Sequence, residues 1–442
     1  MSGIRIGLAQ VNYTPALGLP FMGHFRDDYG AKSTHDPLFA KAMVFEDSHD
    51  LKFAICALDI CMLGRDQAAM MRRYIENECG IPAVNVLLCA THTHGGPSTL
   101  KTYTSPACSD NQIKSFLINA AQAVIMANQK LKPVEAQIGF GYEDRISFNR
   151  RLLCSDGKTH MNWEELDPGF VKKTLGPIDP QLTNVTFKNG EQILGCLINF
   201  ALHPAILDYE NSGWTADYPG YMAEALKKTS GIEHTLFVNG CCGNINHIDA
   251  KDKNSPRRGF VHAQRCGYML AATVAEAVRN SKSLVLDPIE VLSELVTLNR
   301  FKITDQQYQL AKQQLENAGK LYEPADGLLA ESMAPLLIDM YDIQNEPDHV
   351  EVMTIRLGEL AIVALPGEVF CEIGIEIKKK SPAKYTIVIE LANDAAGYFP
   401  IKEAFEQGGY EVTVGATKYE PGSAERLTNS ALTQLQKLFS GR

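Results

Sequence analysis

The sequence contains no apolar run long enough to cross a membrane. Its longest apolar stretch, residues 53–63, is interrupted by Asp59 and is far shorter than the roughly 20 residues that a spanning helix needs. Residues 1–20 also lack the charged start, the unbroken apolar segment and the cleavage site of a signal peptide. The eleven cysteines are odd in number and lie in apolar runs, which is typical of buried thiols and not of a disulfide framework. Together these features predict a cytoplasmic protein without a transmembrane segment.

An excess of positive charge is also missing. The 42 basic residues are outnumbered by 52 acidic ones, and the net charge of -10 has the wrong sign for gripping phosphate backbones, which excludes nucleic acid as an expected partner. The 45% hydrophobic and 21% charged residues are values of a globular protein. No repeat, low-complexity tract or proline-rich linker marks a boundary, so residues 1–442 are predicted to form a single catalytic unit.

The short signatures of several enzyme classes are absent as well. The sequence has no HExxH, no GxSxG, no GxxxxGK[ST] and no paired CxxC. The adjacent Cys241 and Cys242 are predicted to be packing residues, because neighbouring cysteines rarely bridge and buried thiols are common.

Short β-branched runs alternate with longer helical patterns, which predicts an α/β fold. Strands are expected at residues 4–9, 40–45, 52–58 and 84–89, and helices at residues 65–79, 112–130 and 261–279. Gly80 is a plausible left-handed cap for the first of these helices. The polar segment 158–180 is predicted to be a long surface excursion. An amphipathic helix is expected at 304–319, and the segment after it, up to residue 345, is a candidate lid or insert.

The sharpest local motif follows the strand that ends at Cys89. Residues 90–97 read ATHTHGGP, so two imidazoles leave the carboxyl edge of a sheet together, where ligand sites of α/β proteins collect. In an extended segment His92 and His94 point to the same side. The motif indicates either a metal or catalytic site, or a pair of exposed loop histidines without a role.

Two more strand ends carry suitable side chains. A predicted strand at 193–201 leads into His203, and another at 360–365 leads into Glu368. Two histidines and a glutamate form a familiar catalytic zinc set that leaves one position for water. The alternatives are a turn residue for His203 and an N-terminal helix charge for Glu368, before a helix at 369–378.

In their order along the chain, several motifs resemble those of the neutral/alkaline, non-lysosomal ceramidases. They are residues 90–97 (ATHTHGGP), 200–204 (FALHP), 216–221 (ADYPGY), 365–368 (LPGE) and the segment from Tyr398 onward. Near the start, residues 7–15, 22–23 and 35–43 also fall in the family's order. The resemblance implies a catalytic domain of mixed β-sheets flanked by α-helices. It also implies hydrolysis of the amide of N-acylsphingosines with one zinc ion (Zn2+).

The resemblance further implies roles for particular residues. The implied zinc ligands are His92, His203, Glu368 and Tyr398, the tyrosine being carried over from residues 391–398 (LANDAAGY). The family's NR motif and its second tyrosine correspond to Arg150 and to Tyr410, twelve residues beyond Tyr398. Without the resemblance, Tyr398 reads as a core aromatic and Arg150 as half of a solvated Arg150–Arg151 pair.

The sequence departs from the family at two points. The family's GDVSP segment resembles residues 243–247 (GNINH), so Asn246 replaces its serine and a serine nucleophile at that position is excluded. The motifs run to Tyr410 and the chain ends at Arg442, so no C-terminal immunoglobulin-like domain is expected.

The resulting hypothesis is a zinc-dependent hydrolase of a small-molecule or lipid N-acyl amide that uses a metal-activated water. In it His94 takes or relays the proton, and Arg150 and Tyr410 stabilise the oxyanion. One alternative keeps the metal but changes the substrate to a smaller ester, lactone or acylated amine. Another is a non-catalytic binding protein with a metal. The sequence carries no signal of oligomeric state.

Overall fold

The computed structural model describes residues 3–24, 26, 28–102, 105–317 and 330–439. The strands predicted from the early apolar runs are present, because their largely buried β-branched and aromatic side chains suit a packed sheet. They form a five-stranded sheet in the order Val86–Ala90, Lys52–Leu58, Phe39–Glu46, Arg5–Asn12 and Lys132–Pro133. The first pair is parallel and the others are antiparallel, so this sheet is mixed.

Two further sheets are built in the same way. The second has the strand order Thr235–Asn239, Gln192–Phe200, Gln181–Asn189, Glu135–Tyr142 and Lys282–Leu284. The third has the order Ile289–Leu298, Asp348–Leu357, Leu360–Ala364 and Tyr385–Ile389. Each has one parallel pair at an edge. Apolar side chains from all three sheets meet in one core, to which Phe45, Phe187 and Ile355 belong.

Helices cover the outer faces of the sheets, because each buries an apolar stripe there. The first sheet carries Arg65–Cys79 and Asp110–Asn128, the second carries Asp217–Ser230 and Phe260–Arg279, and the third carries Cys371–Lys380 and Ser423–Phe439. The first helix ends at Gly80, whose φ of 73° and ψ of 10° make it the predicted left-handed cap. The α/β fold of mixed β-sheets flanked by helices is confirmed. No helix among the described residues combines the length and the apolarity that crossing a bilayer requires.

The segment 158–180, predicted to be a long surface excursion, lies largely at the surface, but it is not a continuous loop. This segment contains the strands Thr159–Met161 and Val171–Thr174, and both pair antiparallel with Arg151–Cys154 in a three-stranded sheet. The sequence shows no apolar alternation here, because the strands are short and most of their side chains are only partly buried. Its glycines and prolines lie in the turns around these strands and do not mark one continuous loop.

Several short elements connect these layers. Phe148–Asn149 pairs with Ile245–Asn246, Glu368–Val369 with Tyr398–Phe399, and Ser33–Thr34 with Gly213–Trp214. Helical turns lie at Ala83–Asn85, Ala404–Gln407 and Tyr410–Val412. The second of these strand pairs holds two residues of the predicted site, Glu368 and Tyr398.

The predicted amphipathic helix near residue 304 is present as Asp305–Asn317. A second helix, Ala330–Ile343, lies in the segment predicted to have no clean pattern. Tyr308 stacks on Tyr341 with ring centroids 4.2 Å apart, and the Tyr341 hydroxyl donates to Asp305 at 2.6 Å, which joins the two helices. Residues 318–329 of the candidate lid lie outside the described residues, and the lid stays a prediction.

Candidate active site

Three side chains from three different sheets converge at the carboxyl ends of strands. His92 follows Val86–Ala90, His203 follows Gln192–Phe200, and Glu368 follows Leu360–Ala364. The Nε2 atoms of His92 and His203 lie 2.8 Å apart, and each lies 3.3 Å from Oε2 of Glu368. All three side chains are buried. The structure thus brings together three of the predicted ligands, which we call the ligand triad.

The backbone orients both imidazoles of the ligand triad in the same way. Nδ1 of His92 donates to the Cys61 carbonyl at 2.8 Å, and Nδ1 of His203 donates to the Cys242 carbonyl at 3.0 Å. Because a carbonyl only accepts, Nδ1 carries a proton in both rings, and Nε2 is left to point at the centre. This is how proteins commonly orient histidine ligands of metals.

The donor set of the ligand triad fits a divalent cation. Tetrahedral zinc with bonds of about 2.0 to 2.1 Å sets neighbouring ligand atoms about 3.3 Å apart, close to the spacings found here. Within the described residues, Oε2 of Glu368 has no donor other than the two imidazoles. Two ring nitrogens and a carboxylate that converge in a buried place need a positive charge among them.

The electrostatics of the ligand triad agree with that need. Burial opposes a charge on Glu368, yet the facing His92 and His203 hold the pKa of this carboxyl well below its usual range. Burial, followed by the neighbouring His92, lowers the pKa of His203 to about 4. Burial also disfavours a charged His92, but the nearby Cys61 and Glu368 raise its pKa well above 6.5. A bound cation would supply the positive charge that the Glu368 carboxylate and the two imidazoles require in this buried place.

His92 and His94 lie close together because of a turn at His92, and not because the segment is extended as predicted. His92 has a φ of 69°, so the segment turns sharply and is not extended. Its Nε2 nevertheless lies 3.5 Å from Nε2 of His94. Backbone bonds hold the turn, because His92 N–H donates to the Ile60 carbonyl at 3.0 Å and His94 N–H to the Pro204 carbonyl at 3.1 Å. A non-glycine residue in the left-handed region is costly and is often found at functional sites.

The sequence interpretation missed His24, which contacts His94. Nδ1 of His94 and Nε2 of His24 lie 3.2 Å apart. Burial, followed by the neighbouring His24 and His92, lowers the pKa of His94 well below 6.5. Burial and Arg26 lower that of His24 to about 3, so both rings are neutral. Gly23, beside His24, leaves room for the His94 ring, since a Cβ there would lie 2.4 Å from Cγ of His94.

Tyr398 lies beside Glu368. The two are register partners in the parallel pair Glu368–Val369 and Tyr398–Phe399. Glu368 N–H donates to the Gly397 carbonyl at 2.9 Å, and Tyr398 N–H donates to the Ala416 carbonyl at 2.9 Å. Tyr398 is buried, as a core aromatic would be, but it lies next to the ligand triad. Its role as a fourth ligand stays a prediction.

Arg150 is buried, so the alternative of a solvated Arg150–Arg151 pair is wrong. Nε of Arg150 donates to Glu411 at 2.7 Å, and Nη1 of Arg151 donates to the other oxygen of that carboxylate at 2.6 Å. The Arg150 guanidinium lies 5.1 to 5.8 Å from the ring centroids of Trp163, Tyr398 and Tyr410. Burial opposes its charge, but Tyr398 and Glu411 raise the pKa of Arg150 further above its ordinary value.

Comparison with known proteins assigns the chain to a family. The family model of the neutral/alkaline non-lysosomal ceramidases, N-terminal part, matches residues 4–320. The chain belongs to this family. The match includes His92, His94, Arg150 and His203, whereas Glu368 lies beyond it.

Individual ceramidases are distant relatives. The neutral ceramidase of Pseudomonas aeruginosa is 22% identical over 94% of this chain and 69% of its own length. The neutral ceramidase of Mycobacterium tuberculosis is 24% identical over 52% of this chain, which corresponds to 36% of that protein. The crystal structure of the Pseudomonas aeruginosa enzyme has a TM-score of 0.77 at 18% identity, and covers 99% of this chain and 75% of that one. A ceramidase complexed with C2 gives 0.78 at 17% identity, with the same coverage. The ceramidase fold is therefore shared along nearly the whole chain.

Asn246 is the residue predicted to replace the serine of the family motif. Its side-chain amide pairs with that of Asn162 in both directions, each bond 2.7 Å long. Both residues are buried. Asn246 is thus held in an amide pair with Asn162, beside the strands Arg151–Cys154 and Thr159–Met161.

Proposed function

We propose that this ceramidase-family protein is a zinc-dependent hydrolase that cleaves the amide bond of an N-acylsphingosine. The single observation that carries the proposal is the ligand triad, with both imidazoles fixed through Nδ1 and both Nε2 atoms beside Glu368. Family membership and the distant relatives named neutral ceramidase support the choice of substrate. The similar fold of a ceramidase complexed with C2 supports it as well.

The residues that would hold the metal are the ligand triad and Tyr398. Structural zinc sites are usually closed by four cysteine or histidine ligands, whereas a set with two oxygen ligands and room for water is typical of catalysis. Imidazole and carboxylate groups together suit zinc among the common divalent metals. A zinc ion there would act as a Lewis acid that makes a water nucleophilic and polarises the scissile carbonyl.

The side chains around the ligand triad supply the remaining functions. His94 is neutral and its Nε2 lies 3.5 Å from that of His92, so it is placed to accept a proton from the attacking water and to pass one to the leaving amine. Arg150 keeps its charge in a buried place beside Tyr398 and Tyr410. A cation and a phenol held there would stabilise the developing oxyanion without reorganising.

Turnover against substrate length tests the proposal. Zinc-loaded protein would be assayed with N-acylsphingosines of increasing acyl length and with small esters, lactones and acylated amines, using Glu368→Gln as the inactive control. Because each buried methylene contributes about 0.8 kcal/mol, kcat/KM is expected to rise with acyl length. A flat series with good turnover of the small substrates would favour the smaller-substrate alternative. No turnover of any substrate by zinc-loaded protein would favour a non-catalytic metal-binding protein.

A further inference from the structure

Glu390 is a fully buried carboxylate that no sequence motif indicated. It directly follows the strand Tyr385–Ile389, and its side chain has no exposed surface. A buried charge is costly unless it is well hydrogen-bonded. Oε2 of Glu390 accepts the backbone N–H groups of Cys242 at 3.1 Å and Val369 at 2.8 Å, and Oε1 accepts the Cys242 thiol at 2.9 Å.

Each hydrogen-bond partner of Glu390 is either bonded to a residue of the ligand triad or next to one in sequence. The Cys242 carbonyl is the group that accepts Nδ1–H of His203. Val369 directly follows Glu368 in the strand Glu368–Val369. A further backbone bond joins the two segments, because Gly243 N–H donates to the Val369 carbonyl at 2.9 Å. One carboxylate therefore holds together the loop that orients His203 and the strand that carries Glu368.

We propose that Glu390 is a positioning residue of the metal centre, which sets the spacing of His203 and Glu368 through the backbone of Cys242 and Val369. The inference rests on the proposed function, because it assumes that the ligand triad binds zinc. Partners that orient metal ligands from outside typically change metal affinity by about 10- to 100-fold when they are removed.

The contacts of Glu390 allow a test of whether its hydrogen bonds or its charge matter for the position of His203 and Glu368. Both backbone N–H groups donate to the same oxygen, so the single carbonyl oxygen of a glutamine can accept both. The amide nitrogen would then face Cys242 Sγ and donate to it, which reverses the direction of the present thiol bond. Glu390→Gln is therefore expected to keep the arrangement, whereas Glu390→Ala leaves both N–H groups buried without an acceptor.

The experiment measures zinc affinity by competition with a chromogenic chelator, and coordination geometry by the visible spectrum of the Co2+-substituted protein. Wild type, Glu390→Ala and Glu390→Gln would be compared, with folding checked by circular dichroism. Glu143→Ala is the matched control, because Glu143 is equally buried but bonds to Arg145 and Thr273. We expect Glu390→Ala to bind zinc about 10- to 100-fold more weakly and to change the Co2+ spectrum. Glu390→Gln and Glu143→Ala should both resemble the wild type.

Two results would overturn the inference while leaving the proposed function intact. They are a folded Glu390→Ala protein with wild-type zinc affinity and Co2+ spectrum, and a Glu143→Ala protein that loses as much affinity as Glu390→Ala. A wild-type protein that binds no zinc would overturn the proposed function and the inference with it. Should Glu390→Ala not fold, Glu390→Asp decides by the same criterion, because its shorter side chain withdraws the oxygen from Cys242 and Val369 while keeping a carboxyl group.

Discussion

Glu368 and Tyr398 are direct partners in a two-stranded parallel pair. Side chains of such partners point to the same side of the sheet, and adjacent strands lie about 4.8 Å apart. Residues 365–368 (LPGE) and 395–398 (AAGY) are separate in sequence but are held together by this strand pair. A shift of either strand would therefore move both side chains relative to the histidines.

Replacing Tyr398 with phenylalanine tests whether the phenol takes part in metal binding. The ring would keep its packing beside Arg150 and Tyr410 while the oxygen is lost. We expect zinc affinity to fall about 10-fold or more, as for other groups that support a metal site, together with activity. The measurement is chelator competition on folded protein. Unchanged affinity and activity would remove Tyr398 from the site.

Replacing Glu368 with glutamine removes the charge of the ligand triad without changing its size. We expect the purified variant to lose its zinc during dialysis against a chelator that the wild type withstands, since a neutral amide is a poor ligand. Elemental analysis provides the measurement. Glu376→Gln is the control, because Glu376 is a partly exposed carboxylate of the same region that pairs with Lys380. Equal zinc content in both variants would contradict the assignment.

Tyr410→Phe tests oxyanion stabilisation apart from the structural role of Arg150. An Arg150 substitution would disturb the buried Glu411 pair, whereas the Tyr410 ring can keep its contacts with Trp163 and Tyr398. Loss of one oxyanion donor lowers kcat by about 100- to 1,000-fold, and we expect a fall of this order with KM little changed. Steady-state kinetics measure it. A change confined to KM would instead indicate a role in substrate binding.

Asn246→Ser restores the residue type of the family motif. Because Asn246 bonds to Asn162 in both directions, the variant leaves Oδ1 of Asn162 buried without its donor, while Nδ2 of Asn162 keeps its bond to the Ile248 carbonyl. We expect the free energy of unfolding to fall by about 1 to 3 kcal/mol, with no gain in kcat. Denaturant titration and kinetics measure both quantities. A rise in kcat would show that the serine has a catalytic part.

Asp348 gives a pH-dependent contribution to stability. Burial opposes its charge, but Tyr419, Arg65 and Arg300 bind the carboxylate and lower its pKa from 3.8 to about 2. Because the pKa of Asp348 is lower in the folded than in the unfolded state, its carboxylate stabilises the folded protein above pH 3.8. This contribution is lost as the pH falls towards 2.

Asp348→Asn should therefore be less stable than the wild type near neutral pH. The expected difference in the free energy of unfolding is about 1 kcal/mol because Asp348 and its partner Arg65 are partly exposed, and it should shrink as the pH falls below about 4. Denaturant titration at several pH values measures it, with the exposed Asp342→Asn as control. A difference that is constant with pH would contradict the assigned shift.

The strands and helices with clear apolar runs could be predicted because their signals are local. Apolar runs and capping residues depend on neighbours in sequence, and the helix Arg65–Cys79 with its cap at Gly80 has the predicted bounds. The same holds for part of the site, because His92, His203 and Glu368 each follow a strand, and strand ends of α/β proteins collect ligands. The motifs around these residues were also sufficient to suggest the family.

Other features depend on contacts that only the tertiary structure creates. Arg150 is buried because Glu411, 261 residues away, neutralises it. His24 contacts His94 across 70 residues, and Glu390 bonds to Cys242 across 148. Burial, charge pairing and backbone hydrogen bonds of this kind leave no local pattern. The sequence by itself therefore determined the elements with clear apolar runs and three converging side chains, whereas long-range packing decided how those side chains are oriented, charged and held.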